Sequence, residues 1–171
     1  MAVDGVTLLV THDPLDALAL ADRLVFLEDG RVVQEGTPAE VVARPRSPYV
    51  AQVVGLNLYA GTVTDGGAVM TALGPVVTSG QSHRGPTWVA FAPSAVSLFP
   101  ARPEGSPRNT WPLVVVAVEL LGQLARVRLT DDAGHPLVAE VTAASVAALR
   151  LQPGTALWAS VKATEVSAYP A

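Results

Sequence analysis

A histidine at the tip of a candidate strand is the first residue in this sequence placed to do chemistry. Val6-Thr7-Leu8-Leu9-Val10 is a nearly continuous apolar run, of the kind that forms a strand buried on both faces of a parallel sheet. Thr11-His12-Asp13 follows, so His12 falls at the carboxyl end of that strand, the edge where open α/β sheets bind ligands. A neutral imidazole there can hydrogen-bond a terminal phosphate or an attacking water. Taken alone, His12 reads more simply as a surface-loop residue. His83 and His135 lack metal-ligand spacing, lie in turns bounded by Gly or Pro, and are expected to be exposed; no metal site is expected. The chain has no cysteine, which excludes disulfides, thiolate metal sites and cysteine nucleophiles. A phosphate-binding loop needs G-x-x-x-x-G-K-[ST], because backbone N–H groups, a lysine and a magnesium-binding hydroxyl must all meet the phosphates. The nearest stretch, Gly74 to Ser82, has one residue too many and Gln81 in place of lysine.

The elements that must position these residues change character at Gly55. Before it, the pattern is α/β. Asp13-Pro14 caps and opens a helix carrying Leu15, Leu18 and Ala19; Asp suits the N-cap and Pro the first helical position. Leu24 to Leu27 and Arg31 to Glu35 are strands joined through Asp29-Gly30, a hairpin turn signal. Thr37-Pro38 starts a helix over Ala39 to Ala43, and another runs from Pro48 to Val54. After Gly55, short Val-rich runs alternate with Gly and Pro turns, as in a small all-β barrel or sandwich. Strands are expected at 60–63, 68–71, 76–77, 87–92 and 96–98, then at 113–119, 125–129, 137–141, 156–161 and 165–168. A Pro- and Gly-containing linker spans 101–110, and a short helix over Ala143 to Leu149 starts at Thr142. Val6 to Val10 lacks the crossover partners that a parallel strand requires, so the first 55 residues read as the end of a larger α/β domain. An apolar patch left there is expected to drive association.

Composition narrows the function classes. Half of the 171 residues are apolar and 15% are charged, which fits a packed core and not a disordered chain. Residues 1–55 hold eight acids and four arginines; residues 56–171 hold seven acids, six arginines and the single lysine, Lys162. No basic stripe marks a nucleic-acid surface. The longest apolar run of the β part, Leu113 to Val118, is too short to cross a bilayer. The cysteine-free composition suits a cytosolic setting.

The run LLVTHDPLDALALADRLVFLEDGRVVQEGTPAEV resembles the switch-histidine segment of ABC ATPases almost from end to end, through Thr11-His12-Asp13, Ala21-Asp22-Arg23, Gly30, Gly36-Thr37-Pro38 and Glu40-Val41. The resemblance covers residues 6–54. It implies that His12 is a catalytic residue contacting the γ-phosphate of ATP when two ATPase subunits close. It also implies that Asp22-Arg23 and the hairpin are structural. The phosphate loop, the signature sequence and the acidic magnesium-binding strand are absent from this sequence. ATP and Mg therefore belong only to a complete subunit, and this chain is not expected to hydrolyse ATP by itself.

GSPRNTW at 105–111, Val141 to Ser145, Leu149 to Gly154 and SVKATEV at 160–166 resemble, in order, the motifs of the molybdate-binding TOBE/Mop domain. The fold this implies is a five-stranded OB-like barrel. The resemblance implies an oxyanion site at Ser106, Arg108, Lys162, Ala163 and Thr164, with Thr142 and Ser145 as weaker candidates that also suit a helix cap. A tetrahedral dianion such as molybdate or tungstate needs convergent donors and partial charge neutralisation. Ser106 offers a hydroxyl, Arg108 a guanidinium, Lys162 an ammonium, and the backbone near Ala163 and Thr164 free N–H groups. Pro107 departs from the motif and removes one backbone donor. Residues 56–100 resemble the first part of the regulatory region that follows importer ATPases, with Ala92-Pro93-Ser94-Ala95-Val96 lacking the usual Arg and Glu.

Together these readings give an α+β chain: 1–55, the incomplete α/β end of an ABC ATPase domain; 56–104, a first β segment with linker; 105–171, the all-β TOBE/Mop barrel. The expected protein is the C-terminal part of the ATP-binding subunit of a molybdate or tungstate importer. Its partners would be a second copy of itself and a membrane permease, with no nucleic acid and no direct insertion into the bilayer. It would be cytoplasmic and peripheral to the inner face of the plasma membrane. The alternatives are a stand-alone molybdate-binding or storage module, and a ligand-free regulatory domain that docks on an ABC ATPase.

Overall fold

A computed structural model describes residues 5–11, 13–80 and 85–171. The chain divides into two compact units, one ending at Val54 and the other spanning Gly55–Ala171.

In the first unit, helix α1 (Pro14–Leu20) precedes the hairpin of β1 (Leu24–Glu28) and β2 (Arg31–Gly36), followed by α2 (Pro38–Ala43) and α3 (Pro48–Val54). The hairpin turn has both central residues at positive φ, Asp29 at 49° and Gly30 at 74°. That is the primed geometry whose twist matches the two strands. Helix α2 starts with a reciprocal cap: the Thr37 hydroxyl accepts the Glu40 N–H, and the Glu40 carboxylate accepts the Thr37 N–H. These bonds hold the Glu40 carboxyl below its usual pKa, because they favour its charged form. The Gln34 side chain ties the strand to the next loop, donating to the Arg44 carbonyl and accepting from the Arg46 N–H. The core of the unit is small: Leu24, Val41 and Val50, with Phe26, Val33 and a few others packed against them.

One expectation fails in this unit. Residues 6–10 form no strand. Val6, Leu8 and Val10 are more than four-fifths exposed. A parallel strand is held by hydrogen bonds to neighbours on both sides, and none of the described residues provides them. The apolar sequence alone therefore does not make a strand.

The second unit contains β3 (Asn57–Val63), β4 (Val69–Thr71), β5 (Gly74–Val76), β6 (Pro86–Phe91), a 3₁₀ turn at Pro93–Ala95 and β7 (Ser97–Phe99). It continues with β8 (Asn109–Leu121), β9 (Leu124–Thr130), β10 (Pro136–Thr142), α4 (Ala143–Leu149), β11 (Ala156–Val161), a 3₁₀ turn at Ala163–Glu165 and β12 (Ser167–Pro170). The strands build two antiparallel five-stranded sheets, in the orders β5-β4-β3-β6-β12 and β10-β9-β8-β11-β7. Each sheet thus takes its outer strand from the other half: β12 closes the first and β7 the second.

The segments 56–104 and 105–171 belong to one compact unit. They share one hydrophobic core, in which Tyr59, Val89 and Phe91 pack with Trp111, Val127, Leu137 and Val161. The rings of Tyr59, Phe91 and Trp111 stack in a row, with centroids 5.8 and 6.1 Å apart. In β3, Gly61 permits the close approach of β4; a Cβ there would lie 2.5 Å from the Met70 carbonyl oxygen.

The two halves repeat one plan. Strands β6 and β11 bury their residues in the same order, and each runs into a 3₁₀ turn closed by a valine N–H, Val96 to the Pro93 carbonyl and Val166 to the Ala163 carbonyl. Trp88 in β6 faces Tyr169, and Trp158 in β11 faces Phe99. Asn57 opens β3 opposite Phe91, and Asn109 opens β8 opposite Val161.

Candidate functional site

The two asparagines are the fixed points around which the candidate site is built. Asn109 is 1% exposed. Its side-chain amide donates to the Val77 carbonyl (2.9 Å) and accepts the Val77 N–H (2.7 Å). Asn57 does the same to Val138, donating at 2.9 Å and accepting at 2.8 Å. A buried amide is costly unless its polar atoms are paired, and here each pairing ties one half to a strand end of the other. No candidate list drawn from the sequence included either residue. The available signal was the repeated spacing of Asn57-Leu58-Tyr59 and Asn109-Thr110-Trp111, an asparagine two residues before a core aromatic.

Asn109 pairs with Val161 at the end of the β8–β11 ladder. Arg108 and Lys162 are the next residue on each strand, so the ladder delivers two cations to one strand end. Both are exposed, and neither side chain has a hydrogen bond or ion pair among the described residues. Arg102, in contrast, lies over the Trp158 ring at 5.5 Å. Lys162 is also the N-cap of the 163–165 turn. A first helical turn leaves its leading N–H groups without internal partners, and the amides of Ala163 and Thr164 occupy those positions. The Ala163 carbonyl accepts the Ser79 N–H at 3.1 Å, which fixes the turn from the side of the first half. Ser106 lies two residues before Arg108 in exposed coil.

Thr142 and Ser145 are not brought to this strand end. Thr142 pairs with Leu124 at the far end of β9, where β8 finishes at Leu121. Asn109 lies at the opposite end of β8, and at about 3.3 Å per residue the separation is on the order of 40 Å. Thr142 caps α4: its hydroxyl accepts the Ser145 N–H at 3.1 Å and pairs with the Ser145 hydroxyl at 2.9 Å. Two surface depressions of about 220 and 260 Å³ lie beside Trp158 and between Leu73 and Trp111; Ser106, Arg108 and Lys162 line neither. Ser106, Arg108 and Lys162 are all exposed, so the strand end is open to solvent.

A third cluster sits in the β9–β10 turn. The Asp131 carboxylate accepts the Ala133 and His135 N–H groups and meets the His135 ring at 2.8 Å. The hydrogen bond from the His135 side chain is the main cause holding the Asp131 carboxyl below its usual pKa. His135 is therefore a half-buried turn residue with a carboxylate partner, not the free exposed histidine expected. Tyr59 donates its hydroxyl to the Pro136 carbonyl (2.6 Å). Burial raises the pKa of that hydroxyl, so it stays protonated and structural.

In the first unit, His12 and likewise His83 lie outside the described residues. Next to His12, the Thr11 hydroxyl accepts the Asp13 N–H at 2.9 Å, and the Asp13 carboxylate accepts the Asp16 N–H at the start of α1. Arg23 pairs with Glu35 at 3.0 Å, both exposed, and the Ser47 hydroxyl donates to Glu28.

Residues 105–168 match the TOBE domain. The β unit also resembles a solved structure, the cytoplasmic molybdate-binding protein ModG in a form with molybdate bound. That likeness covers 67% of this chain and 96% of that one, at a TM-score of 0.59 and 24% identity; it shows a common fold. Over nearly its whole length the chain is similar to part of ABC-importer ATP-binding subunits. It is 39% identical to the molybdenum import ATP-binding protein ModC of Mycobacterium tuberculosis H37Rv, over 95% of this chain and 46% of that protein. It is 35% identical to the sulfate/thiosulfate import ATP-binding protein CysA of Burkholderia pseudomallei, over 94% of this chain and 45% of that protein. The chain spans about half the length of the curated relatives it matches. Among the described residues, no helix is long and apolar enough to cross a membrane.

Proposed function

We propose that residues 55–171 are the oxyanion-responsive regulatory domain of an ABC-importer ATP-binding subunit, and that the anion is molybdate or tungstate. The observation that carries this reading is the pair of unengaged cations, Arg108 and Lys162, at one strand end beside the first N–H groups of the 163–165 turn. A tetrahedral dianion gains most from charge-assisted hydrogen bonds to fixed donors. Arg108 and Lys162 would neutralise it, the amides of Ala163 and Thr164 would orient it, and Ser106 would donate a hydroxyl. Thr142 and Ser145 cap α4 and are left out of this set for one chain. In the whole transporter the partners are a second copy of the subunit and a membrane permease, with the subunit at the cytoplasmic face of the membrane. His12 would contact the γ-phosphate of Mg-bound ATP there, within an ATPase domain completed by the residues that the relatives have and this chain lacks.

The test is calorimetry of the chain with sodium molybdate, tungstate and sulfate. Saturable heat with molybdate or tungstate is expected, and it should disappear in the double variant Arg108→Ala/Lys162→Ala. Absence of heat with all three anions sinks the anion reading and leaves a ligand-free regulatory domain.

A further inference from the structure

The repeated plan of the β unit gives the charged residues of the candidate site counterparts in the other half. With Asn57 matched to Asn109, Leu56 precedes β3 as Arg108 precedes β8. With β6 matched to β11, Ala92 stands where Lys162 does, Pro93 where Ala163 does and Ser94 where Thr164 does. The scaffold is kept in both halves. Each has the buried asparagine with its two bonds across to the other half. Each has the 3₁₀ turn closed by a valine N–H, and each has the Trp–aromatic pair at the exchanged strand.

The ligand chemistry is kept in one half only. The guanidinium and ammonium of the second half become leucine and alanine in the first. The turn loses a backbone donor as well, because Pro93 has no N–H. Leu56 and Ala92 are part-buried where Arg108 and Lys162 are exposed. A doubly charged ion moved into such surroundings loses its hydration without compensating charge. In addition, Gly55-Leu56 is the stretch by which the chain passes from α3 into the β unit, so the Arg108 counterpart lies in the connection between units.

We infer that the first half carries a degenerate anion position, stripped of its charge, so that this chain holds at most one oxyanion and holds it at the second half. The inference rests on the anion reading above and deepens it: it fixes the number of anions per chain and their location. It also makes the asymmetry a matter of Leu56, Ala92 and Pro93 on an otherwise repeated scaffold, not of a different fold.

The experiment counts molybdate bound per chain by equilibrium dialysis of the full chain, with molybdenum measured by elemental analysis. At saturation the ratio should not exceed one, and Arg108→Ala/Lys162→Ala should remove all bound anion. These exposed residues pack into no core, so the variant keeps the native far-UV circular dichroism. A ratio of two, or one anion retained by the double variant, overturns the inference while leaving the anion reading intact. No bound anion in the unaltered chain overturns the anion reading itself. A gain-of-function arm adds Leu56→Arg, Ala92→Lys and Pro93→Ala together. Its saturation ratio should double in a variant whose melting is still cooperative. An unchanged ratio in that folded variant overturns the claim that side-chain charge is what separates the two halves. Single Ala92→Lys, at a part-buried turn position, gives the same reading if the triple variant does not fold, through a measurable second, weaker binding phase; its absence counts against the inference.

Discussion

Residues 5–54 and residues 55–171 are both rich in valine and leucine, but they place them oppositely. In the first unit, Val6, Leu8, Val10, Val25, Leu27 and Val32 are more than half exposed, and only Leu24, Val41 and Val50 form a buried cluster. In the second, Val69, Val76, Val89, Val127, Leu129, Leu137 and Val161 are nearly or fully inaccessible. The sequences look alike over short windows because burial is not a local property. A strand's apolar face is covered only if the chain supplies a layer to cover it. The β unit supplies both of its sheets, whereas the first unit has a single two-stranded hairpin and three helices of six or seven residues.

This contrast can be sharpened by substitution. The largest effect is expected for Leu137→Ala. Leu137 is 1% exposed in the shared core, and truncation of a buried leucine costs about 2–5 kcal/mol, read as a lower midpoint in urea unfolding. Next is Asn109→Ala, which strands the N–H and carbonyl of Val77. Two unpaired groups at about 1–3 kcal/mol each, partly resolvated because Val77 is exposed, should cost about 2–4 kcal/mol, and Asn57→Ala should match it because its bonds to Val138 are equivalent. A large difference between the two asparagines would break the equivalence of the halves. In the first unit, Thr37→Ala removes the cap of α2 and should cost about 1 kcal/mol, seen as faster amide exchange over 39–43. The smallest effect is expected for Leu27→Ala. Leu27 is 62% exposed, so the change should fall within about 0.5 kcal/mol. A cost above about 1 kcal/mol would mean that this face is covered in solution, and would erase the contrast.

Much of the fold was legible because its signals are local. Asp29-Gly30 specified the hairpin, Thr37-Pro38 specified the start of α2, and short apolar runs located β9 and β11 to within a residue or two. What escaped was non-local. Nothing near Ser97 announces that β7 will join β11, or near Ser167 that β12 will join β6. The repeat was hidden for a related reason. Few residue identities survive between the halves, and those that do (Asn57 and Asn109, Val96 and Val166) serve the scaffold. Arg108 and Lys162 stood out in the sequence because charged residues are few in this chain, and the strand register brings them to one strand end. Thr142 and Ser145 had two readings in the sequence, and the structure shows the cap.

The exchanged strands carry a consequence for synthesis. Translation is vectorial, and β6 meets its outer neighbour only when residues 167–170 have left the ribosome. At about 5–20 residues per second, the first half therefore waits for several seconds with an open strand edge, the kind of surface that pairs with other chains. Its asparagine is held back too, since Val138 has not yet been made when Asn57 emerges. The two halves are thus committed to folding together and late, with each acting as the missing template of the other, and a nascent chain stalled before Ser167 would present β6 to whatever strand it meets first.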